Sequence, residues 1–396
     1  MVLDPYRRVL SVPGAWQFSL AGFVGRLPIS MVSLGIVLLV SSASGSYGLA
    51  GTVASAYLLA NAVFAIWLAR LVDRLGQSRV LPVAQLVWTT ALAGLVWSVQ
   101  AGAPTVLQHV LAAVAGGSLP QVGACVRARW SHVLDEARAV QTAYAFESVV
   151  DEALFVLGPT VVTVLATSWH PVAGLATAAT CGLVGTLWLA GQRPTEPPAS
   201  REQVERGARP PMPWATVAPL TVVCLGLGAV FGSTEVVTVA FTEEQGAPAL
   251  AGPLLGLWAL GSLAAGVVTG AVTWRRGPEV RVRWGILALG LALLPLALVD
   301  SLPLMGLLLL LGGGAIAPTL IATLSATERA VPRARLTEGM AILHTAMGVG
   351  IAPGAAIAGL VVDDYGASPA YLVPAVAGLL GAAGAWLARA PVTSRP

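Results

Sequence analysis

Residues 51–81 read GTVASAYLLANAVFAIWLARLVDRLGQSRVL. Gly51 to Ala69 carries no charge, and Arg70, Asp73, Arg74 and Arg79 then follow within ten positions. An uncharged helix of that length is about 28 Å long at 1.5 Å per residue, close to the roughly 30 Å hydrocarbon core of a bilayer. The stretch therefore reads as a membrane-crossing helix that ends in a charged loop.

The same pattern recurs along the chain. Of 396 residues, 56% are hydrophobic and 10% charged, where a soluble domain is about 25% charged. The mean hydropathy is +0.79. Apolar runs occupy 14–41, 48–70, 80–100, 104–126, 139–167, 171–190, 215–241, 249–273, 282–300, 302–326, 337–361 and 367–389. Their lengths, and the lack of ten-residue alternating segments, predict twelve transmembrane helices and not barrel strands. The first run is too long, and too firmly followed by others, for a cleaved signal peptide.

Charge placement predicts the orientation. All 22 basic residues are arginine, and all but Arg26 fall in the two tails or in the loops after the second, fourth, sixth, eighth and tenth runs. The opposite loops carry only acids, Glu243, Glu244, Asp300, Asp363 and Asp364, with some histidine. The asymmetry predicts both termini in the cytoplasm. The net charge of +3 reflects these loop arginines and does not point to nucleic acid. Cys125, Cys181 and Cys224 have no CxxC spacing and read as small packing residues. All-arginine usage with abundant Ala, Gly and Val suggests a GC-rich bacterial genome and hence a bacterial cytoplasmic membrane.

Between the sixth and seventh runs lies QRPTEPPASREQVERGARPPMP, residues 192–213, proline-rich and without apolar periodicity. It reads as a cytoplasmic linker between six-helix halves, 1–191 and 214–396. The halves resemble each other. Residues 51–76 lie on 252–277 without a gap, pairing Gly51 with Gly252 and Gly76 with Gly277, and ARAVQTAYAFES from Ala137 lies on ARLTEGMAILHT from Ala334, placing Glu147 opposite His344. Paired halves of this kind form rocker-switch transporters with a substrate cavity near the midplane.

The loop Ala69–Leu81 then resembles the signature of the major facilitator superfamily, G-x-L-a-D-r-x-G-r-k-x-x-l. Leu71, Asp73, Arg74, Gly76 and Leu81 match in type and spacing, whereas Ala69 replaces the first glycine and Gln77-Ser78 the basic pair, with Arg79 one place later. The resemblance implies an all-helical fold of two pseudo-symmetric six-helix bundles. It implies a cytoplasmic latch in which Asp73 meets the start of the eleventh helix near Thr337. The matching loop of the second half, Trp274-Arg275-Arg276-Gly277, lacks the aspartate, so the latch is expected to be asymmetric.

The fifth run contains three carboxylates, Glu147, Asp151 and Glu152, on one side of little more than a helical turn. A charge near the bilayer centre costs at least about 2.5 kcal/mol, so such groups face a cavity, water or a partner. Crowded carboxylates in a low dielectric resist ionisation and can carry protons. Arg26 reaches a similar depth in the first run and needs a carboxylate or an anionic substrate beside it. Glu235 and His344 stand near the repeat positions of Arg26 and Glu147 and complete the candidate set for proton coupling and substrate binding. Drug exporters of the superfamily also carry an arginine in the fourth helix, and Arg127 and Arg129 read as lying too near the cytoplasm to be its equivalent. Gly158-Pro159, and Pro353 beside Gly354, mark expected helix bends. The drug exporters of the superfamily carry a longer glycine-proline motif there, of which only Gly158-Pro159 stands in this chain.

No HExxH, paired diphosphate motif, GxSxG or Walker A sequence occurs, which argues against an enzyme or a single-chain ATPase. No cofactor or metal is expected. The reading is a monomeric, proton-coupled exporter of a small amphipathic molecule. Two alternatives remain open: uptake of an anionic metabolite bound by Arg26, and lipid flipping by the same fold.

Overall fold

The computed structural model describes residues 4–199, 211–271, 275–332 and 336–387. Twelve helices among the described residues are long and apolar enough to cross a membrane. They are numbered here α1 (Ala15–Ser44), α2 (Tyr47–Leu75), α3 (Gln77–Gln100), α4 (Thr105–Val133), α5 (Ala137–Ser168), α6 (Ala173–Gly191), α7 (Trp214–Glu244), α8 (Ala251–Ala271), α9 (Pro278–Leu298), α10 (Leu302–Ala330), α11 (Leu336–Tyr365) and α12 (Ala367–Trp386). A short helix, Asp4–Leu10, precedes them.

Most run ends agree with the sequence reading to within a few residues, but α4 does not end at 126. After a break at Leu119–Gln121 it resumes as Val122–Val133, so Arg127 and Arg129 sit on a helix. The apolar run stops at these charges because hydropathy falls there. The helix continues because both arginines find partners, described below.

Two compact units form by contact. The first comprises residues 1–39 and 60–203, the second 40–59 and 204–396. In the first, Gly76 separates α2 from α3 with φ at +91°, where a side chain would be strained, and a Cβ there would stand 2.9 Å from Glu196 Oε1. That carboxylate accepts the backbone N–H of Ser78 at 2.9 Å, on the first turn of α3. Arg129 is fully buried. It donates through Nε to Gln77 Oε1 at 2.8 Å, and through Nη1 to the Gln192 carbonyl at 2.7 Å and Thr195 Oγ1 at 2.8 Å. One guanidinium thus ties α3, α4 and the segment after α6 together.

In the second unit α7 and α11 lie backbone against backbone. A Cβ on Gly228 would stand 2.0 Å from the Met347 carbonyl and one on Gly232 2.1 Å from that of Ile351. Reciprocally, Gly350 faces the Leu225 carbonyl at 2.1 Å and Gly354 the Ala229 carbonyl at 2.3 Å. Each pair of glycines is spaced by four residues, the small-xxx-small geometry that lets membrane helices approach closely. The α1–α2 turn belongs to this unit. Asp363, at the end of α11, accepts Tyr47 N–H through Oδ1 and Gly48 N–H and Ser46 Oγ–H through Oδ2, each at 2.7 Å. The carboxylate caps the N-terminus of α2, where unpaired N–H groups and the helix dipole favour negative charge. The Tyr47 hydroxyl donates to Glu243.

Candidate functional site

The predicted charges on α5 meet Arg26 inside the first unit. Glu147 and Asp151 are one turn apart on α5, and the Arg26 side chain crosses from α1 to both. Arg26 Nη2 donates to Glu147 Oε2 at 2.5 Å, Nη1 to Asp151 Oδ1 at 2.7 Å, and Nε to the Gly22 carbonyl at 3.0 Å. Gly123 on α4 makes room for the arginine stem, since a Cβ there would lie 3.3 Å from Arg26 Cδ.

Three further residues complete the site: Arg127, which the sequence reading set aside, and Trp130 and Ser19, which it did not single out. Arg127 Nη2 donates to Asp151 Oδ2 at 2.5 Å. Trp130 Nε1 at 2.9 Å and Ser19 Oγ at 2.7 Å both donate to Glu147 Oε1. Trp130 is held edge-on by Phe18, with centroids 4.6 Å apart. The signal for Arg127 was present in the short turn between α4 and α5. Two antiparallel helices joined there bring residue 127 level with Tyr144, whose hydroxyl lies 3.4 Å from the Arg127 carbonyl. A long side chain then reaches about two turns further, to Asp151.

The result is a quartet of two guanidinium groups and two carboxylates with zero formal charge. Its two ends differ. Glu147 is 0% exposed and Arg26 4%, whereas Asp151 is 29% and Arg127 35% exposed. Glu147 is held by three donors, Ser19, Trp130 and Arg26, and anchors Arg26. Asp151 is the more exposed carboxylate and lies between two cations. The crowding of like charges expected from the sequence is offset here by arginine. The Glu152 side chain lies outside the described residues.

The remaining predicted residues lie elsewhere in the chain. Glu235, half-buried on α7, and His344, exposed on α11, belong to the second unit. His344 Nδ1 donates to the Met340 carbonyl at 2.9 Å. Asp73, Arg74 and Arg79 are exposed around Gly76. The expected partner of Asp73, the Thr337 side chain, lies outside the described residues. Pro159 and Pro353 sit within the continuous helices α5 and α11. Gly158 brings α5 against α1, where a Cβ would stand 2.1 Å from Ser30 Oγ. Among the described residues no cluster of three or more His, Cys, Asp or Glu side chains could hold a metal ion.

A family model described as Major Facilitator Superfamily matches residues 18–327. The chain belongs to the major facilitator superfamily, and it is a transporter and not an enzyme. No curated protein matches it by sequence. Among solved structures, a variant of the nucleoside transporter NupG matches with a TM-score of 0.77 at 14% identity, over 95% of this chain and 100% of that one. A bacterial homologue of the iron transporter ferroportin in an inward-facing state gives 0.72 at 15%, over 96% and 100%. The human organic anion transporter MFSD10 gives 0.61 at 19%, over 96% and 99%. At these identities the likeness is one of fold.

Proposed function

We propose that the protein is a proton-coupled secondary transporter that exports a small amphipathic molecule by alternating access, and that Asp151 is its exchanging carboxylate. The carrying observation is the asymmetric quartet: a dry Glu147–Arg26 pair beside a water-accessible Asp151 held between Arg26 and Arg127. Protonation of Asp151 removes the charge that both arginines share. Arg127, the more exposed of the two, then swings free, and the local charge rises by one. A site that gains a cation on protonation and loses it on deprotonation links proton movement to the binding or release of a charged or dipolar solute.

Saturation of Arg26 weighs against the anion-uptake alternative. Each of its three nitrogens already has a protein partner, so an anion would have to displace a carboxylate. Gly158-Pro159, seated on Ser30, supports export through the partial likeness to exporter sequences. Glu235 and His344 serve as the second unit's titratable groups. The charge asymmetry of the loops supports cytoplasmic termini, a linker at 192–213 on that face, and residence in a bacterial inner membrane.

The α1–α2 turn lies in the first half by sequence but packs in the second unit, capped by Asp363. This supports a transport cycle in which that cap breaks and re-forms.

The test is proton flux in proteoliposomes loaded with a pH dye, screened with cationic, neutral and anionic compounds. Asp151→Asn is expected to abolish solute-dependent proton flux while leaving a slow uncoupled solute leak. Solute movement in the wild type with no proton flux, unchanged in Asp151→Asn, would reduce the quartet to a structural ion cluster.

A further inference from the structure

Helices α8, α9 and α10 of the second unit enclose a cleft of about 510 Å³. Small residues create it. Gly285, Ala288 and Ala292 recur at i, i+3 and i+7 on one side of α9. Opposite them α10 is interrupted at Gly314–Ala315, where Pro318 has no N–H to give the Gly314 carbonyl. Trp284, Ala288 and Leu311 along the cleft are exposed, as are Val267 and Val268 on α8, so it opens sideways onto an apolar surface that meets acyl chains in a bilayer.

One end is different. Arg276 and Arg281 line it, and Arg275 stands beside them in sequence, against a single carboxylate, Glu279. The α9 N-terminus adds its positive dipole end at the same place. From Arg281 to Ala292 the cleft follows eleven residues of helix, about 16 Å at 1.5 Å each, and one leaflet of a roughly 30 Å core is about 15 Å. The basic end therefore lies at headgroup level and the apolar end near the midplane.

We propose that this cleft is a binding site for an anionic phospholipid, with one acyl chain along the α9–α10 seam and the headgroup phosphate on Arg276 and Arg281. Charge and shape together select this occupant. A soluble anion has nothing to fill the apolar length, and a second copy of the chain would bring its own arginines against these. Basic pockets between membrane helices recognise anionic headgroups in this way. The inference does not depend on which solute the protein carries.

The test is native mass spectrometry of the purified full chain, equilibrated in micelles with equal amounts of phosphatidylglycerol and phosphatidylcholine of identical acyl chains. The wild type is expected to retain one tightly held phosphatidylglycerol per chain, preferred about tenfold, which corresponds to about 1.4 kcal/mol. Arg276→Gln with Arg281→Gln should bring the two lipids to parity while a lipid is still retained, and Ala288→Trp should lose both. Equal retention of the two lipids by the wild type overturns the proposal without recourse to any variant. So does unchanged retention in Ala288→Trp, displacement of the lipid by glycerol phosphate alone, or a dimer mass that excludes lipid.

Discussion

Replacing Glu147 by Gln removes one charge and almost no volume from the driest point of the quartet. Gln keeps an oxygen for Ser19 and Trp130, so those bonds survive. The loss falls on Arg26, whose side chain is 4% exposed and must then share Asp151 with Arg127. Removing one partner of a buried pair costs about 3–5 kcal/mol, because the other charge is left uncompensated. Asp151→Asn removes the same charge where the Asp151–Arg127 pair is about a third exposed and Arg26 keeps Glu147, so water supplies part of the lost solvation and about 1–2 kcal/mol is expected. Arg26→Gln in the Glu147→Gln background restores neutrality and should recover at least half of the first loss, the non-additivity of directly coupled residues. Reversible unfolding in mixed micelles, read by tryptophan fluorescence across the two single variants and the double, measures all three. Equal destabilisation by Glu147→Gln and Asp151→Asn, or a double variant no more stable than Glu147→Gln, would refute the division into a dry anchor and a wet exchanging group.

Trp130→Phe keeps the ring against Phe18 but removes the Nε1 donor, and should cost about 1.5–3 kcal/mol, as for a lost bond to a charged acceptor, in the same unfolding measurement. Gly76→Ala forces a side chain into a left-handed conformation and should lower stability by about 1–2 kcal/mol without altering the charge of the loop. Gly232→Leu drives a side chain into the Ile351 carbonyl and should yield protein that inserts but fails to become monodisperse, checked by size exclusion after mild solubilisation. Asp363→Asn leaves the α2 cap without its anion, and maleimide labelling of a cysteine placed at Ser44 should quicken several-fold. An unchanged labelling rate would mean that Asp363 does not hold the turn.

Helix number and type were legible because each span must satisfy its own backbone within lipid, which forces long apolar runs. The meeting of Arg26 with Glu147 and Asp151 was legible in part, because an arginine in a bilayer needs an anion and α5 offered a cluster of them at a similar depth. Arg127 was missed because charge was read as the end of a helix when it marks only the end of an apolar run. Asp363 was read as a loop acid, since nothing near it in sequence hints that its partners, Ser46, Tyr47 and Gly48, lie more than three hundred residues away. The same holds for Gln77, counted as the loss of a basic motif position. In the fold it is buried, accepts from Arg129 and donates to the Cys125 carbonyl at 3.2 Å. Local pattern reveals what each segment must be, whereas a long-range hydrogen bond leaves no mark on either of its ends.

The glycine-lined seam of α7 and α11 bears on how the protein is made. The ribosome finishes α7 about a hundred residues before it reaches Gly350 and Gly354. At about 5–20 residues per second, that interval is roughly 5–20 s. For that time Gly228 and Gly232 present bare backbone to lipid or to a makeshift neighbour. A chain interrupted before residue 350 would hold ten inserted helices and one waiting groove, the kind of exposed face that membrane quality control can recognise. Synthesis of α11 is thus the step at which the α7 groove is filled, before α12 packs Gly381 on Gly226 and Gly378 on Gly290.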